Sequence, residues 1–231
     1  MPDAPIESTP PVSVATTVST RRESQSANDL YVLNESLDVV GSVQGMAEGQ
    51  RIYAARFVGD TAYLVTYRRV DPFHVIDLSE PRNPEELGQV KLPGFSQYLH
   101  PLGDDKVLGI GREDGQVKAV VFDVSTPTDP EVLDSKLIDD EWSAIARTHH
   151  AFLHDPKHGV FFLPGSEGGY VFSYGEGLEM ERRIDTRGAA QRAMYVDDYL
   201  YVFGSEELVV VDETDWERVD TLDFEGPEDD E

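Results

Sequence analysis

The chain has 231 residues, no cysteine and a formal charge of −26, from 45 Asp and Glu against 19 Lys and Arg. That length can bury a large core, and the missing thiols exclude disulfides and thiolate metal centres. A field of this sign repels nucleic acid and anionic membranes, and no apolar run approaches the roughly eighteen residues of a spanning helix, so neither partner is expected.

The start, "MPDAPIESTPPVSVATTVST", has neither the basic opening nor the apolar stretch of a secretory leader, which assigns the chain as written to the cytoplasm. Residues 1–11 are expected to be disordered. "VSVATTV", "LYVLN" and "LDVVGSV" then read as strands of an incomplete unit, residues 12–45. A full unit follows over 51–92: "RIYAARFV" turns through Gly59-Asp60 into "TAYLVTYR", followed by "FHVIDL" and "ELGQVKL". The unit at 95–140 has "FSQYLHPL", "KVLGIG", "VKAVVFDV" and "EVLDSKLI". The next, at 142–186, has "AIARTHHAFL" (144–153), a turn at "HDPKHG", then "VFFLP", "GYVFSY" and "LEMERRI". The last, at 189–225, has "AQRAMYV", "YLYVFG", "ELVVVDE" and "RVDTLDF", and an acidic tail occupies 226–231.

In each full unit the second and third runs are dense in Val, Ile, Leu, Phe and Tyr, as strands covered on both faces require. The fourth carries charge, which protects an edge from further pairing. Helical periodicity is not sustained anywhere. Four short strands per unit, at a period of about 40–50 residues, are the arithmetic of a β-propeller blade. The fold class is therefore all-β: four complete four-stranded blades and one incomplete N-terminal blade. A β-sandwich also uses short strands, but gives no reason for a phrase to return. One does return: Asp77, Ser79, Pro81, Pro84, Glu85 and Leu87 recur as Asp123, Ser125, Pro127, Pro130, Glu131 and Leu133. Asp and Ser bond to nearby backbone in turns, and the prolines stop the strand. The phrase is read as the link from third to fourth strand, in preference to paired catalytic carboxylates.

The segments "RFVGDTAYLVT", "DPFHVIDLS-P-NP" and "LPGFSQYLHP", with "VKAVVFDVSTPTDPEVLDSKLI" and "THHAFLHDPKHGVFFLP", resemble a family of secreted, mostly prokaryotic proteins with a C-terminal β-propeller domain, distantly related to WD-type repeats. The resemblance covers roughly residues 28–205. It implies a propeller fold and a location outside the cytoplasm or at the cell surface, and it transfers no catalytic residue. Members are usually longer, with a signal or anchor and further blades, so the chain looks like the C-terminal portion of such a protein. Blade faces left open would then take a protein partner, the missing propeller portion or a second copy of the chain.

No catalytic or cofactor-binding residue is expected, and no cofactor. His150, His154 and His158 are the candidate metal ligands: their i, i+4, i+8 spacing would align three imidazoles for zinc on a helix. Pro156 and Gly159 break any helix there, so a strand followed by a polar turn is the preferred reading. Acid clusters at Asp104-Asp105, Asp139-Asp140-Glu141 and Asp197-Asp198 lack the spacing of a calcium loop. The pairs Arg21-Arg22, Arg68-Arg69 and Arg182-Arg183 read as scattered ion pairs. The expected function is a non-catalytic propeller for protein interaction or cell-surface organisation. The alternatives are a propeller hydrolase or metal-dependent enzyme with its site at the central channel, and a remnant of a longer secreted protein.

Many carboxylates with five Lys suggest adaptation to high salt. The screening length falls from about 10 Å at 0.1 M salt to about 3 Å at 1 M. Chemical unfolding should therefore show a higher midpoint in about 2 M than in about 0.1 M KCl. Equal midpoints would refute the halophilic reading.

Overall fold

In the computed structural model residues 13–16, 27–67 and 71–224 are described, with backbone alone at 13–16 and Asp71. The expected disordered start (1–11), the acidic tail (226–231), Arg21-Arg22 and Arg68-Arg69 lie outside the described residues. The chain divides into two compact units. The first runs to Pro93 and includes Thr126–Pro130; the second holds Gly94–Ser125 and the chain from Glu131.

The first unit contains a three-stranded sheet, β1 (Ser13–Thr16), β2 (Asn28–Leu33) and β3 (Val39–Met46), and a four-stranded one, β4 (Arg51–Val58), β5 (Thr61–Tyr67), β6 (Asp71–Asp77) and β7 (Glu85–Leu92). All neighbours are antiparallel and pair in chain order. Leu30, Val32 and Met46 of the first sheet pack with Ala62, Leu64, Ile76 and Leu78 of the second. His74 is buried on β6. Its Nδ1 meets Glu86 at 2.8 Å and its Nε2 meets Thr66 Oγ1 at 3.2 Å, so its polar atoms are satisfied.

The second unit holds three four-stranded sheets: β8 (Phe95–Pro101), β9 (Lys106–Glu113), β10 (Gln116–Asp123) and β11 (Glu131–Ile138); β12 (Leu153–Asp155), β13 (Val160–Gly165), β14 (Gly168–Ser173) and β15 (Glu179–Asp185); β16 (Ala190–Val196), β17 (Tyr199–Gly204), β18 (Glu207–Asp212) and β19 (Arg218–Asp223). Among the described residues, four four-stranded sheets and one of three strands are the blades of the expected all-β fold. The second and third strands are the buried ones: β13 is buried throughout, whereas β19 is exposed throughout. The strand expected across 144–153 does not form. Ala144–Ala146 and His149–Ala151 make 3-10 turns instead, and the first strand shrinks to Leu153–Asp155. The reason is that Ile145 and Phe152 both enter the core of β8–β15, which a straight alternating strand would not allow.

Among the described residues, the last strand of each sheet carries a β-bulge at the same place. The extra residue is Val40, Leu87, Leu133, Glu181 and Val219 in turn, and the residue after it is Gly41, Gly88, Asp134, Arg182 and Asp220. The recurring phrase packs on this position. Its Asp-Ser start forms the expected turn, with Ser79 N donating to Asp77 Oδ1 and Ser125 N to Asp123 Oδ1. Its prolines then cover the glycine of a neighbouring strand. A Cβ on Gly41 would lie 2.2 Å from Pro81 O and 2.8 Å from Pro84 Cδ; one on Gly88 would lie 2.7 Å from Pro130 Cδ and 2.8 Å from Pro127 O.

Where the covering residue is not proline, the partner changes. Leu178 stands four residues before Arg182, as Pro130 stands before Asp134, and its free N–H donates to Asp134 Oδ2 at 2.8 Å. A proline has no N–H and presents Cδ, so the facing residue is glycine. A leucine presents N–H, so the facing residue is a carboxylate. Gly88→Ala should destabilise the chain by about 1–3 kcal/mol, because backbone atoms crowd the new methyl. Gly175→Ala, with open space around it, should stay within about 0.5 kcal/mol. Denaturant midpoints in high salt check both, and equal effects would refute the contact.

Candidate functional site

The three candidate histidines go to three environments. His150 lies exposed on a 3-10 turn, its ring against that of His149. His154, on β12, joins a hydrogen-bonded chain: Tyr98 OH to His100 Nδ1 at 3.0 Å, His100 Nε2 to His154 Nδ1 at 3.2 Å, and His154 Nε2 to Tyr174 OH at 2.8 Å. Burial pushes the His154 imidazole below its ordinary pKa and the Tyr174 phenol above its own. A neutral His154 fits this chain, with each group donating to the next.

Of the three, His158 is the one that meets carboxylates. Asp155 ends β12, and its Oδ1 accepts the N–H of Lys157 at 2.9 Å, which shapes the turn. The turn returns His158 over Asp155, with Nδ1 donating to Oδ2 at 2.6 Å. Glu213 follows β18; its Oε2 lies 3.5 Å from the same Nδ1. Asp198 Oδ1 faces His158 Nε2 at 3.6 Å and also takes the Lys157 ammonium. Asp155 is 2 % and Glu213 4 % exposed, and neither oxygen of Glu213 receives a hydrogen bond among the described residues. One ligand atom from each of Asp155, His158 and Glu213 falls within 4.8 Å of the others. His158 and Gly159 also border an open groove of about 610 Å³ with polar walls that include Asp134, Lys136, Ser173 and Glu179.

Sequence reasoning missed Glu213, although the repeats carry a signal for it. The N–H groups of Leu78, Val124 and Glu213 donate to the carbonyls of Asp60, Asp105 and Asp198 respectively, so the three residues are equivalent. All three are buried. "DLS" and "DVS" fill this position with an apolar side chain, and "DET" fills it with an acid.

Asp140, Glu207, Arg182 and Arg183 have structural partners. Asp140 is buried and accepts from Trp142 N, Ser166 N, Ser166 Oγ and Tyr170 OH, and burial followed by this carboxylate pushes the Tyr170 phenol up to about 12. Glu207 accepts from Arg187 N at 2.7 Å. Arg182 pairs with Glu217, and Arg183 with Asp185 and Glu167.

Burial first, and the Asp155 carboxylate second, push the Glu213 carboxyl up to about 7; His158 opposes them. A folded pKa above the unfolded one means stability present below the unfolded value and lost as pH rises through the folded one. The ionised Glu213 therefore weakens the fold as pH climbs from about 4.5 to about 7. In chelator, Glu213→Gln should raise stability at pH 8 by about 1–3 kcal/mol, and by much less at pH 5. Unfolding of both proteins at the two pH values measures this, and a pH-independent difference would refute it.

The model of the beta propeller domain family matches residues 11–216. An uncharacterized protein of Archaeoglobus fulgidus is 50% identical over 195 residues, covering 84% of this chain and 31% of the relative. The uncharacterized protein MJ1554 of Methanocaldococcus jannaschii is 41% identical over 216 residues, covering 92% of this chain and 35% of the relative. The chain thus spans about a third of the length of these relatives. With its sheets of four antiparallel strands and this match over most of its length, the chain belongs to the beta propeller domain family.

Proposed function

We propose that the chain is a non-catalytic propeller segment that takes a further propeller blade on its last sheet. Asp220 carries the reading. It occupies the position after the bulge in β19, as Asp134 does in β11, and the backbone N–H of the next residue bonds Oδ1 in both: Ser135 N at 2.7 Å and Thr221 N at 2.8 Å. Asp134 Oδ2 receives Leu178 N; Asp220 receives no second donor among the described residues.

The apolar pattern of this sheet agrees. One face, with Ala193, Leu200, Val202, Val209 and Val211, packs in a core with Val160, Phe162, Val171 and Ile184. The other leaves Met194 46 % and Leu222 61 % exposed. An apolar sheet face of this kind marks an association surface. The partner it fits is a blade whose covering loop offers a free N–H, of the Gly-x-Gly-Leu type seen at Gly175–Leu178, rather than a proline. The relatives, about three times as long, have chain to supply such a blade. A place at the cell surface accompanies this reading, supported by the resemblance to secreted propeller proteins. The buried polar groups His74, Asp140 and Glu207 each have a hydrogen-bond partner within the chain, which supports a binding role for them over a reactive one.

The test mixes the chain, in high salt, with the remainder of the Archaeoglobus fulgidus relative expressed without its matching third. Sedimentation should show a one-to-one complex, weakened about tenfold or more by Asp220→Ala and by Leu222→Glu. No complex at about 50 µM, or one indifferent to both substitutions, would overturn the proposal. So would homo-oligomers dissociated by Leu222→Glu, which would make a second copy the occupant.

A further inference from the structure

Asp155, His158 and Glu213 do more than an ordinary ion pair requires. A buried carboxylate normally keeps hydrogen-bond donors on its oxygens, because desolvating the charge without them is costly. Asp155 follows that rule, with Lys157 N on one oxygen and His158 Nδ1 on the other. Glu213 does not: its side chain is 1 % exposed, aimed at Nδ1 and Asp155, and without a donor. It also displaces the apolar residue that Leu78 and Val124 represent at the equivalent place. An acid kept in a core position with bare oxygens fits a cation between it and its neighbours.

We infer that Asp155, His158 and Glu213 bind one zinc-class divalent transition ion, which ties the β12–β13 turn to the end of β18. The donor set selects the class. Two carboxylate oxygens and one imidazole nitrogen suit zinc and the neighbouring first-row divalent ions, whereas calcium takes oxygen ligands alone. The proton that His158 Nδ1 now gives Asp155 leaves on metal binding, and its Oδ2–Nδ1 separation opens from 2.6 Å toward the about 3.3 Å of a tetrahedral zinc edge. The ring stays neutral by taking a proton from solvent on Nε2, which faces Asp198. A carboxylate behind a metal-bound imidazole is the usual device for fixing the ring. Lys157, bound to Asp198, holds that carboxylate in place. The groove bordered by His158 and Gly159 supplies an entry path. Because the turn and β18 belong to sheets that share a core, the ion staples adjacent blades.

The test titrates Zn²⁺ into untagged, chelator-stripped full chain in high salt, by calorimetry and by thermal unfolding. One equivalent should bind and raise the unfolding midpoint. Glu213→Gln and Asp155→Asn should abolish the stoichiometric heat, Asp198→Asn should weaken it about ten- to hundredfold, and His150→Ala should leave it unchanged. Glu213→Gln also keeps the test open if other variants fold poorly. It should be more stable than wild type in chelator and less stable in saturating Zn²⁺, a reversal that a protonated His158 between two carboxylates would not produce. Absence of binding at millimolar Zn²⁺, binding retained in Glu213→Gln, or binding of Ca²⁺ in place of Zn²⁺ would overturn the inference.

Discussion

The contact between a covering loop and the residue after a bulge is the constraint on which the rest of the structure depends. A sheet of four short strands has two apolar faces and cannot be stable alone, so each must be fixed against another at a set distance. The bulge turns one residue of a sheet's last strand toward the covering loop, and the loop answers with a backbone group or a side chain. Pro84 and Pro130 offer Cδ, and the facing residues are Gly41 and Gly88. Leu178 offers N–H, and the facing residue is Asp134. Arg182 meets Glu217 by charge. The same geometry is therefore met by three chemistries: close packing, a charge-assisted hydrogen bond and an exposed ion pair. The third contributes least, since exposed pairs are worth about 0–1 kcal/mol.

Buried polarity is distributed by the same repeating frame. Where an acid or histidine enters a blade, it is met by backbone donors or by another polar side chain, as with Asp140, His74 and the Tyr98–His100–His154–Tyr174 chain. Glu213 departs from this pattern, and it does so beside Asp155 and His158. Local rules fail most often at functional sites, where stability is given up for a ligand. Glu213, with buried bare oxygens, and Asp220, exposed and bonded through one oxygen, are separate departures from the pattern.

Much of the fold was legible in the sequence because strand, turn and breaker signals are local. "AQRAMYV" is β16 residue for residue, and the Asp-Ser turns lie where the phrase puts them. The run at 144–153 misled, since two separated side chains, Ile145 and Phe152, enter one core and bend the backbone into 3-10 turns. What the phrase packs against was not legible, because nothing in a strand pattern names the residue facing it across two sheets. His158 was marked by its spacing to other histidines, yet strands and a turn carry it away from them. Its carboxylate partners come from Asp155, three residues before, and from a different sheet. Only the alignment of "DLS", "DVS" and "DET" exposes Glu213 as an acid in an apolar place.

A thermodynamic cycle at positions 88 and 130 tests the facing-residue rule most directly. Gly88→Asp alone should be strongly destabilising, because the side chain meets Pro130 Cδ. Pro130→Leu alone frees an N–H with no acceptor. Together they recreate the Asp134–Leu178 pair, and unfolding free energies in high salt should show the double variant recovering about 1 kcal/mol or more of the summed losses. Losses that simply add would contradict the account.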